Sequence, residues 1–578
     1  MKKNKFIKSL SKENSAKIFF SILFVYFFSL NIYQMHNQHW TAMLDQDIKI
    51  IYNSLLISSG IEQEYRDHPA YTTFMILGSL FKICSIFFDN FTFNETLGST
   101  NIDKEFQKLF YIARIVNSFY IFLIVFLIYK ILIELKISQS LSILASTLSL
   151  FFISFYELLF LLRSEAVSVL MFLISFYFLI KFLNYNKIFH IILTGFFFCL
   201  AMLAKIQVIF LYLTVLLALP SLIYYLDSGN NLNKIIKKSR LLILNKIILI
   251  LSVAFYIFYQ NILARNFLDE LENPIFSFLH NEDLVLLSFL VLFYVVFIKL
   301  VSKNSLINFN QIIIVIGMIL AGFILTLISV FLMDYLTLIP FHDLNLVRVL
   351  NPIKFMTQFT FEMSQEVSIF QTIKQLFQYP SNELTVQFNK EFNPTILNID
   401  TKVFFRSLQI IILLSLILFS SLIIKNKNLL YLSIIFLGGS FVYHLTFLLR
   451  ETHGYNIFIF PLYVLIISLL LDKLKKKYVF VFSSLFIFLF LVENLISLNA
   501  YKNIFNREPR VYTICGIEKW KNSENYILNY NSRSYIPLVE HSAPWLKFYT
   551  KRFSAITDTY CNQLKNEEGN RQTKFKIN

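Results

Sequence analysis

The chain has 578 residues, of which 56% are hydrophobic and only 15% charged, with a mean hydropathy of +0.61. A soluble domain carries about 25% charged residues, so there is too little polar surface here to clothe a water-facing core, and a soluble globular enzyme is excluded. The formal net charge of +16 would ordinarily point to nucleic acid, but Lys and Arg fall mainly in short loops between apolar runs, where they set membrane orientation, and nucleic acid is excluded as a partner.

The basic stretch 1–17 precedes a first apolar run at 18–35. Tyr33-Gln34-Met35-His36 closes that run without a small-residue cleavage site, so it reads as a retained first span. Further spans are expected at 109–129, 138–156, 165–182, 188–203, 206–226, 241–262, 283–301, 310–338, 404–424, 429–448, 455–471 and 478–498. The reason is length: about 20 apolar residues wound as helix match a hydrocarbon layer of roughly 30 Å. The pair 188–203 and 206–226 can alternatively be one long broken helix. Alternating polar and apolar strands are absent, so the expected fold is an all-α polytopic membrane bundle of about 13 helices.

Charge tests the alternation. Lys130/Lys136, Lys181/Lys187, Lys234–Arg240, Lys299/Lys303, Lys425/Lys427 and Lys473–Lys477 fall on one side. The other side receives Asp269–Asp283, the segment 341–401, Arg450–Tyr455 and the tail from Ala500. The positive-inside rule then gives a cytoplasmic N-terminus and a periplasmic C-terminus in a bacterial inner membrane. One segment resists: Tyr71–Phe88 is apolar enough to span despite Lys82, but counting it inverts every later loop. It is expected to lie on the membrane or re-enter it, bounded by Asp67 and Asp89, with a complete span as the alternative. The chain thus divides into a membrane module, 1–499, with external loops 36–100 and 341–401, and a small external domain, 500–578. Cys515 and Cys561 both lie in that domain, where an oxidising periplasm permits a disulfide.

The first external loop is the most informative. Leu44, Ile48, Ile51, Leu55 and Leu56 recur at helical spacing, which predicts an amphipathic helix on the membrane surface, ended by Gly60. Asp45 and Asp47 stand at its start, where acids suit the first turn of any helix. Arg66-Asp67-His68-Pro69 opens the next apolar stretch. Asp67 or His68 can cap it with Pro69 at the first helical position, and the same cation, acid and imidazole suit an anionic lipid head group. Farther on, Arg163-Ser164-Glu165 opens a span, Ala201-Met202-Leu203-Ala204-Lys205 closes one, and Arg450-Glu451-Thr452-His453-Gly454-Tyr455 precedes a late one. Glu165 also suits a helix N-terminus and Lys205 can snorkel, yet ionisable groups beside apolar runs are costly and are functional candidates by default.

An Asp soon after the first span, a helix ending in Gly, and His68-Pro69-Ala70-Tyr71 opening an apolar helix resemble the GT-C class of membrane glycosyltransferases. More narrowly, they resemble bacterial relatives of the protein O-mannosyltransferases and of the aminoarabinose transferase that modifies lipid A. The acid Glu165 at a span's outer end, the small-residue helix ending in Lys205 and the loop containing His453 resemble later features of that class. The resemblance covers roughly residues 18–230, and 440–500 more loosely. Gln46 follows Asp45 where these enzymes commonly carry an acid, with Asp47 as the candidate stand-in, and the second Pro often seen after His-Pro is missing.

What the resemblance implies is transfer of a sugar from a polyprenyl-phosphate donor to an acceptor hydroxyl on a lipid, glycan or protein. Asp45 would take the acceptor's proton in a single inverting displacement. Lys205, Arg66 and Arg163 would hold the departing lipid phosphate, where cations count most. Asp67, His68, Glu165, His453 and Tyr455 would orient substrate. A divalent cation is compatible with Glu165 and Asp67, although no ligand spacing requires a metal. The absence of a Gly-rich nucleotide fingerprint favours a lipid-linked donor over a nucleotide sugar. Two other readings compete. A transporter or flippase of lipid-linked saccharides would show repeats and mid-membrane acids. A polymerase or ligase would use a large external loop, as 341–401 with His342 and Arg348 could supply. In that loop Ile369, Phe370, Ile373, Leu376 and Phe377 recur at helical spacing and suit a membrane anchor.

Overall fold

A computed structural model describes residues 2–36, 38, 47–63, 70–99, 101–148, 152–226, 309–341, 345–346, 349, 411–421, 427–447 and 457–505. Asp45, Arg66, Asp67, His68, His342, Arg348, His453, Tyr455, Cys515 and Cys561 lie outside the described residues. So do the anchor expected at 369–377, the spans expected at 241–262 and 283–301, and the domain 500–578, apart from the helical residues up to Phe505.

Among the described residues the chain is helical, with no strand. In order the helices are α1 (Lys2–His36), α2 (Lys49–Ser58), α3 (Tyr71–Cys84), α4 (Phe93–Leu97), α5 (Ile102–Glu134), α6 (Gln139–Thr147), α7 (Ile153–Phe160), α8 (Ser164–Tyr185), α9 (Ile188–Ala204) and α10 (Ile209–Tyr225). They continue as α11 (Phe309–Tyr335), α12 (Ile411–Ser421), α13 (Lys427–Phe447), α14 (Phe460–Leu471) and α15 (Lys476–Phe505). Among the described residues five segments are long and apolar enough to cross a membrane: Ser15–His36, Lys104–Glu134, Ser164–Tyr185, Ile206–Tyr225 and Gln311–Tyr335. They coincide with the spans expected at 18–35, 109–129, 165–182, 206–226 and 310–338. Shorter apolar helices lie at α3, α9, α12 and α14 and within α13 and α15.

One expected span takes a different form. The run 138–156 is not one helix: α6 ends at Thr147, and α7 begins at Ile153 and runs on to Phe160. Phe152 and Phe155 pack on Phe460 at the head of α14, each with ring centroids 4.8 Å apart. The pair 188–203 and 206–226 takes the two-helix form rather than that of one broken helix. α9 ends at Ala204, Lys205 is extended (φ −159°, ψ 122°), and a 3-10 turn at Ile206–Val208 leads into α10. Phe198 and Tyr212 then stack at 3.7 Å, so the chain has doubled back and the pair is a hairpin turning at Lys205.

Both ends of the bundle are defined by bonds between loops. At one end Ser138 N–H donates to Asp472 Oδ1 (3.2 Å), the Asn184 amide to the Glu134 carbonyl (2.9 Å) and the Tyr225 hydroxyl to the Leu135 carbonyl (3.3 Å). The turns carrying Lys136, Lys187 and Lys473 and the last part of α8 with Lys181 therefore share an end, as the charge alternation expects. The opposite end holds the start of α8 and the Lys205 turn, because α8 and α9 run antiparallel: Ser175 Oγ donates to the Thr194 carbonyl (2.7 Å) and Ser168 Oγ to that of Ala201 (2.9 Å).

Where α9 crosses α11 the backbones nearly touch. A Cβ on Gly195 would lie 1.8 Å from the Ile319 carbonyl oxygen, and one on Gly322 would lie 2.1 Å from that of Ile192. Small residues let membrane helices approach this closely, since lipid tails give no hydrophobic drive to pair them.

α2 departs from its expected setting. Rather than presenting an apolar face to the membrane surface, it is enclosed by protein along Ile50–Ser58, with even Asn53 and Ser54 buried. Both polar side chains bond back to its own carbonyls, of Lys49 and Ile50 (each 2.7 Å), which makes their burial tolerable. The helix ends before Gly60, whose φ of +74° suits glycine, as expected. α3 has 14 residues, about 21 Å at 1.5 Å per residue, which is short of a bilayer core. It starts against α9, where Thr72 Oγ1 donates to the Leu200 carbonyl (2.7 Å), and ends where the Lys82 ammonium donates to that of Leu338 (3.2 Å).

Candidate functional site

At the end of the bundle opposite the basic turns, two helical connections meet. One is Leu161–Arg163, extended backbone between α7 and α8, with Leu161 at φ −131°, ψ 134° and Arg163 at φ −142°, ψ 140°. The other is the Lys205 turn. Helix ends leave carbonyls and amides without partners, and in a membrane protein such backbone is tolerated only where protein or a polar cavity satisfies it. Here side chains do so. The Asn117 amide on α5 donates to the carbonyls of Leu158, Leu159 and Leu161, closing the end of α7. Leu162 N–H donates to Asp47 Oδ1 at 2.8 Å.

The second oxygen of Asp47 accepts from Arg114 Nη2 at 2.7 Å, and both side chains are essentially inaccessible, at 0% and 1%. Arg114 also donates to Gln38 Oε1 (3.2 Å), just past α1, and its backbone carbonyl accepts from the Asn31 amide (2.5 Å). Burial pushes the Asp47 carboxyl up, against the opposing pull of the Arg114 charge and the Leu162 amide. Asp47 thus ties the start of α2, α5 and the α7–α8 connection around one carboxylate, and Arg114 adds the end of α1.

One residue beyond Leu162 a second cluster begins. Arg163 Nη1 lies 2.6 Å from Glu157 Oε1, while Nη2 lies 3.7 Å from Glu165 Oε1. That same oxygen lies 3.3 Å from the Lys205 ammonium. All four side chains are buried. Ser168 Oγ donates to the Lys205 carbonyl (3.3 Å) as well as to that of Ala201, pinning the turn against α8. Three carboxylates, of Asp47, Glu157 and Glu165, face three cations, of Arg114, Arg163 and Lys205. Among the described residues no group of three or more His, Cys, Asp or Glu side chains gathers as a metal site.

The structure therefore brings together four of the sequence-derived candidates: Asp47, Arg163, Glu165 and Lys205. Asp47 is a paired and buried acid. Arg163 and Lys205 converge on Glu165, which opens α8 as expected. Sequence reading missed Arg114, Glu157, Asn117 and Gln38. Arg114 carried a usable signal, since a guanidinium inside the expected span 109–129 is costly unless it has a buried partner. Glu157 carried a weaker one, lying one residue beyond the expected span 138–156, in a stretch that is otherwise apolar. Comparison with family models, with curated proteins and with solved structures gives no match. The fold and site define a helical membrane protein with a charge-balanced cluster at one end of its bundle.

Proposed function

We propose that this chain is a membrane glycosyltransferase of the GT-C type, moving a sugar from a polyprenyl-phosphate donor to an acceptor hydroxyl on a lipid, glycan or protein. The observation that carries the reading is the convergence of the Lys205 ammonium and the Arg163 guanidinium on one buried carboxylate, where two helical connections meet. Two cations held so close can take a phosphate oxygen, and irregular backbone between half-helices is where membrane proteins place polar ligands. In the proposed step the acceptor oxygen bonds to the anomeric carbon as the bond from that carbon to the lipid-phosphate oxygen breaks, inverting the centre. Asp45, two residues before the Asp47 anchor, takes the hydroxyl proton. The phosphate leaves with added negative charge, which Lys205, Arg163 and Arg66 stabilise. Asp67, His68, Glu165, His453 and Tyr455 orient the substrates. The proposal includes the full bundle of about 13 helices, a bacterial inner membrane with the N-terminus cytoplasmic, and the small periplasmic domain from 500 onward.

The test is sugar transfer in membranes from synthetic polyprenyl-phosphate sugars. Asp45→Asn and Lys205→Ala are each expected to lower turnover by about 10²-fold or more while the protein still inserts. Wild-type turnover in both would remove the mechanism. Movement of an unchanged lipid-linked sugar, with no new glycosidic bond, would instead establish the transporter reading.

A further inference from the structure

One face of α11 is exposed. Leu325, Ile328, Leu332 and Tyr335 recur at three- and four-residue spacing and are exposed, Tyr335 at 84%. In a helix long and apolar enough to cross a membrane this stripe is the lipid-facing side. It does not stop with the helix. Leu336 and Leu338 are exposed too, and the bond from Lys82 to the Leu338 carbonyl sets the end of α3 beside them. There Ile83, Ile86, Phe87 and Phe88 are exposed, Ile86 at 73% and Phe87 at 72%, in the last turn of α3 and the turn after it.

We propose that the segments 336–338 and 83–88 form a single apolar foot that seats, without crossing, in the bilayer leaflet at the site's end of the bundle. Its level is where acyl chains meet head groups. The sequence expectation concerned α3 as a whole, whereas the structure divides it. Tyr71, Phe74, Leu77 and Phe81 are buried in protein and Met75, Ile76 and Leu80 half-buried, so the fully exposed apolar side chains gather at the end of the helix. The occupant follows from continuity with the lipid-facing stripe of α11. It follows also from the rim. Lys82 flanks the patch, and the Lys108 ammonium donates to the Asp89 carbonyl (2.9 Å) while lying 4.2 Å from the centre of the Phe91 ring. An apolar patch edged by long cations suits the membrane–water boundary, where such cations keep their stems in lipid and their charge in water. A partner protein would need no such alignment with a spanning helix. Because α3 is bonded to α9 at Thr72, the foot sets the depth of the Lys205 turn relative to the head groups. This inference stands independently of sugar transfer.

The experiment uses the full-length protein in phosphatidylcholine vesicles brominated either near the carbonyl or near the acyl terminus. Phe88→Trp and, as the deep reference, Leu325→Trp are read as difference fluorescence against the parent, which has three tryptophans. Phe88→Trp is expected to emit at blue-shifted wavelengths and to be quenched several-fold more by bromine near the carbonyl. Leu325→Trp is expected to show the opposite order, which also verifies insertion. The proposal is overturned if Phe88→Trp emits as in water and is quenched by aqueous iodide but by neither lipid. It is equally overturned if terminal bromine quenches best, since α3 would then reach the bilayer centre. Phe87→Trp gives the same reading should Phe88→Trp fail to insert.

Discussion

Asp47 and Arg114 offer the sharpest test of how this fold is held. Each is buried, and each has the other as its charge partner at 2.7 Å. Arg114→Met leaves the Asp47 carboxylate with Leu162 N–H, and Asp47→Asn leaves the Arg114 cation with the Gln38 carboxamide and the Phe110 ring, neither of them an anion. Breaking a buried pair by removing one partner costs about 3–5 kcal/mol, because an uncompensated charge stays in a low-dielectric site. That is a large share of a typical stability of about 5–15 kcal/mol. The double variant Asp47→Asn/Arg114→Met removes both charges and lets the asparagine oxygen still accept from Leu162, so it is expected to be more stable than either single variant. The assay is thermal unfolding in mild detergent, followed by size-exclusion recovery of the monodisperse protein. Coupling between residues in contact appears as non-additivity in such a cycle. If the double variant lost as much as the two single variants combined, the two charges would not be acting on one another, and the anchoring role of Asp47 would fall.

Asn117→Leu removes the donor from three carbonyls at the end of α7, and about 1–3 kcal/mol of stability is expected to go with it for a buried acceptor left unmatched. Asn117→Asp, which keeps the shape but donates nothing when ionised, is expected to lose as much in the same unfolding assay. Gly195→Leu would drive a side chain into the Ile319 backbone and is expected to abolish the monodisperse peak. Gly438→Leu, where an added Cβ meets nothing within 4 Å, is expected to keep it. Glu165→Gln gives the cation cluster an excess positive charge, so on the proposed reading a short-chain polyprenyl phosphate raises the melting temperature more in this variant than in the parent. Equal shifts would argue against a phosphate site at Lys205.

How much of this was legible in the sequence depends on the range of the interaction. The five long spans follow from local apolar length, and the shared end of Lys136, Lys181 and Lys473 follows from charge alternation; both are properties of short windows. The charged residues at helix boundaries, Glu165 and Lys205, were visible for the same reason. What could not be read was pairing across distance. Nothing near Asp47 in the chain announces Arg114, and the identification of Asn117 as the cap of α7 requires knowing that α5 passes the end of that helix. The run 138–156 reads as continuous because its composition stays apolar across the point where Phe152 turns extended ahead of α7. α2 was misplaced on the surface because its spacing is amphipathic, while its polar residues bond inward to their own backbone, which leaves it free to be enclosed.

Stability alone does not account for the cluster. A buried ion pair replaced by apolar groups of similar volume is often neutral or stabilising, and the bundle has apolar packing in abundance. Six charges brought together at two helical breaks are therefore better understood through what they can exchange. Glu165 sits between Arg163 and Lys205 as an internal anion, so on the proposed reading an arriving lipid phosphate would meet cations already gathered and already desolvated. The Asp47–Arg114 pair differs. Its acid also holds the Leu162 amide and the start of α2, so exchanging that anion would loosen the backbone itself. On the proposed reading the Glu165 group is the half that would turn over a ligand, and the Asp47 group is the half that keeps it in register.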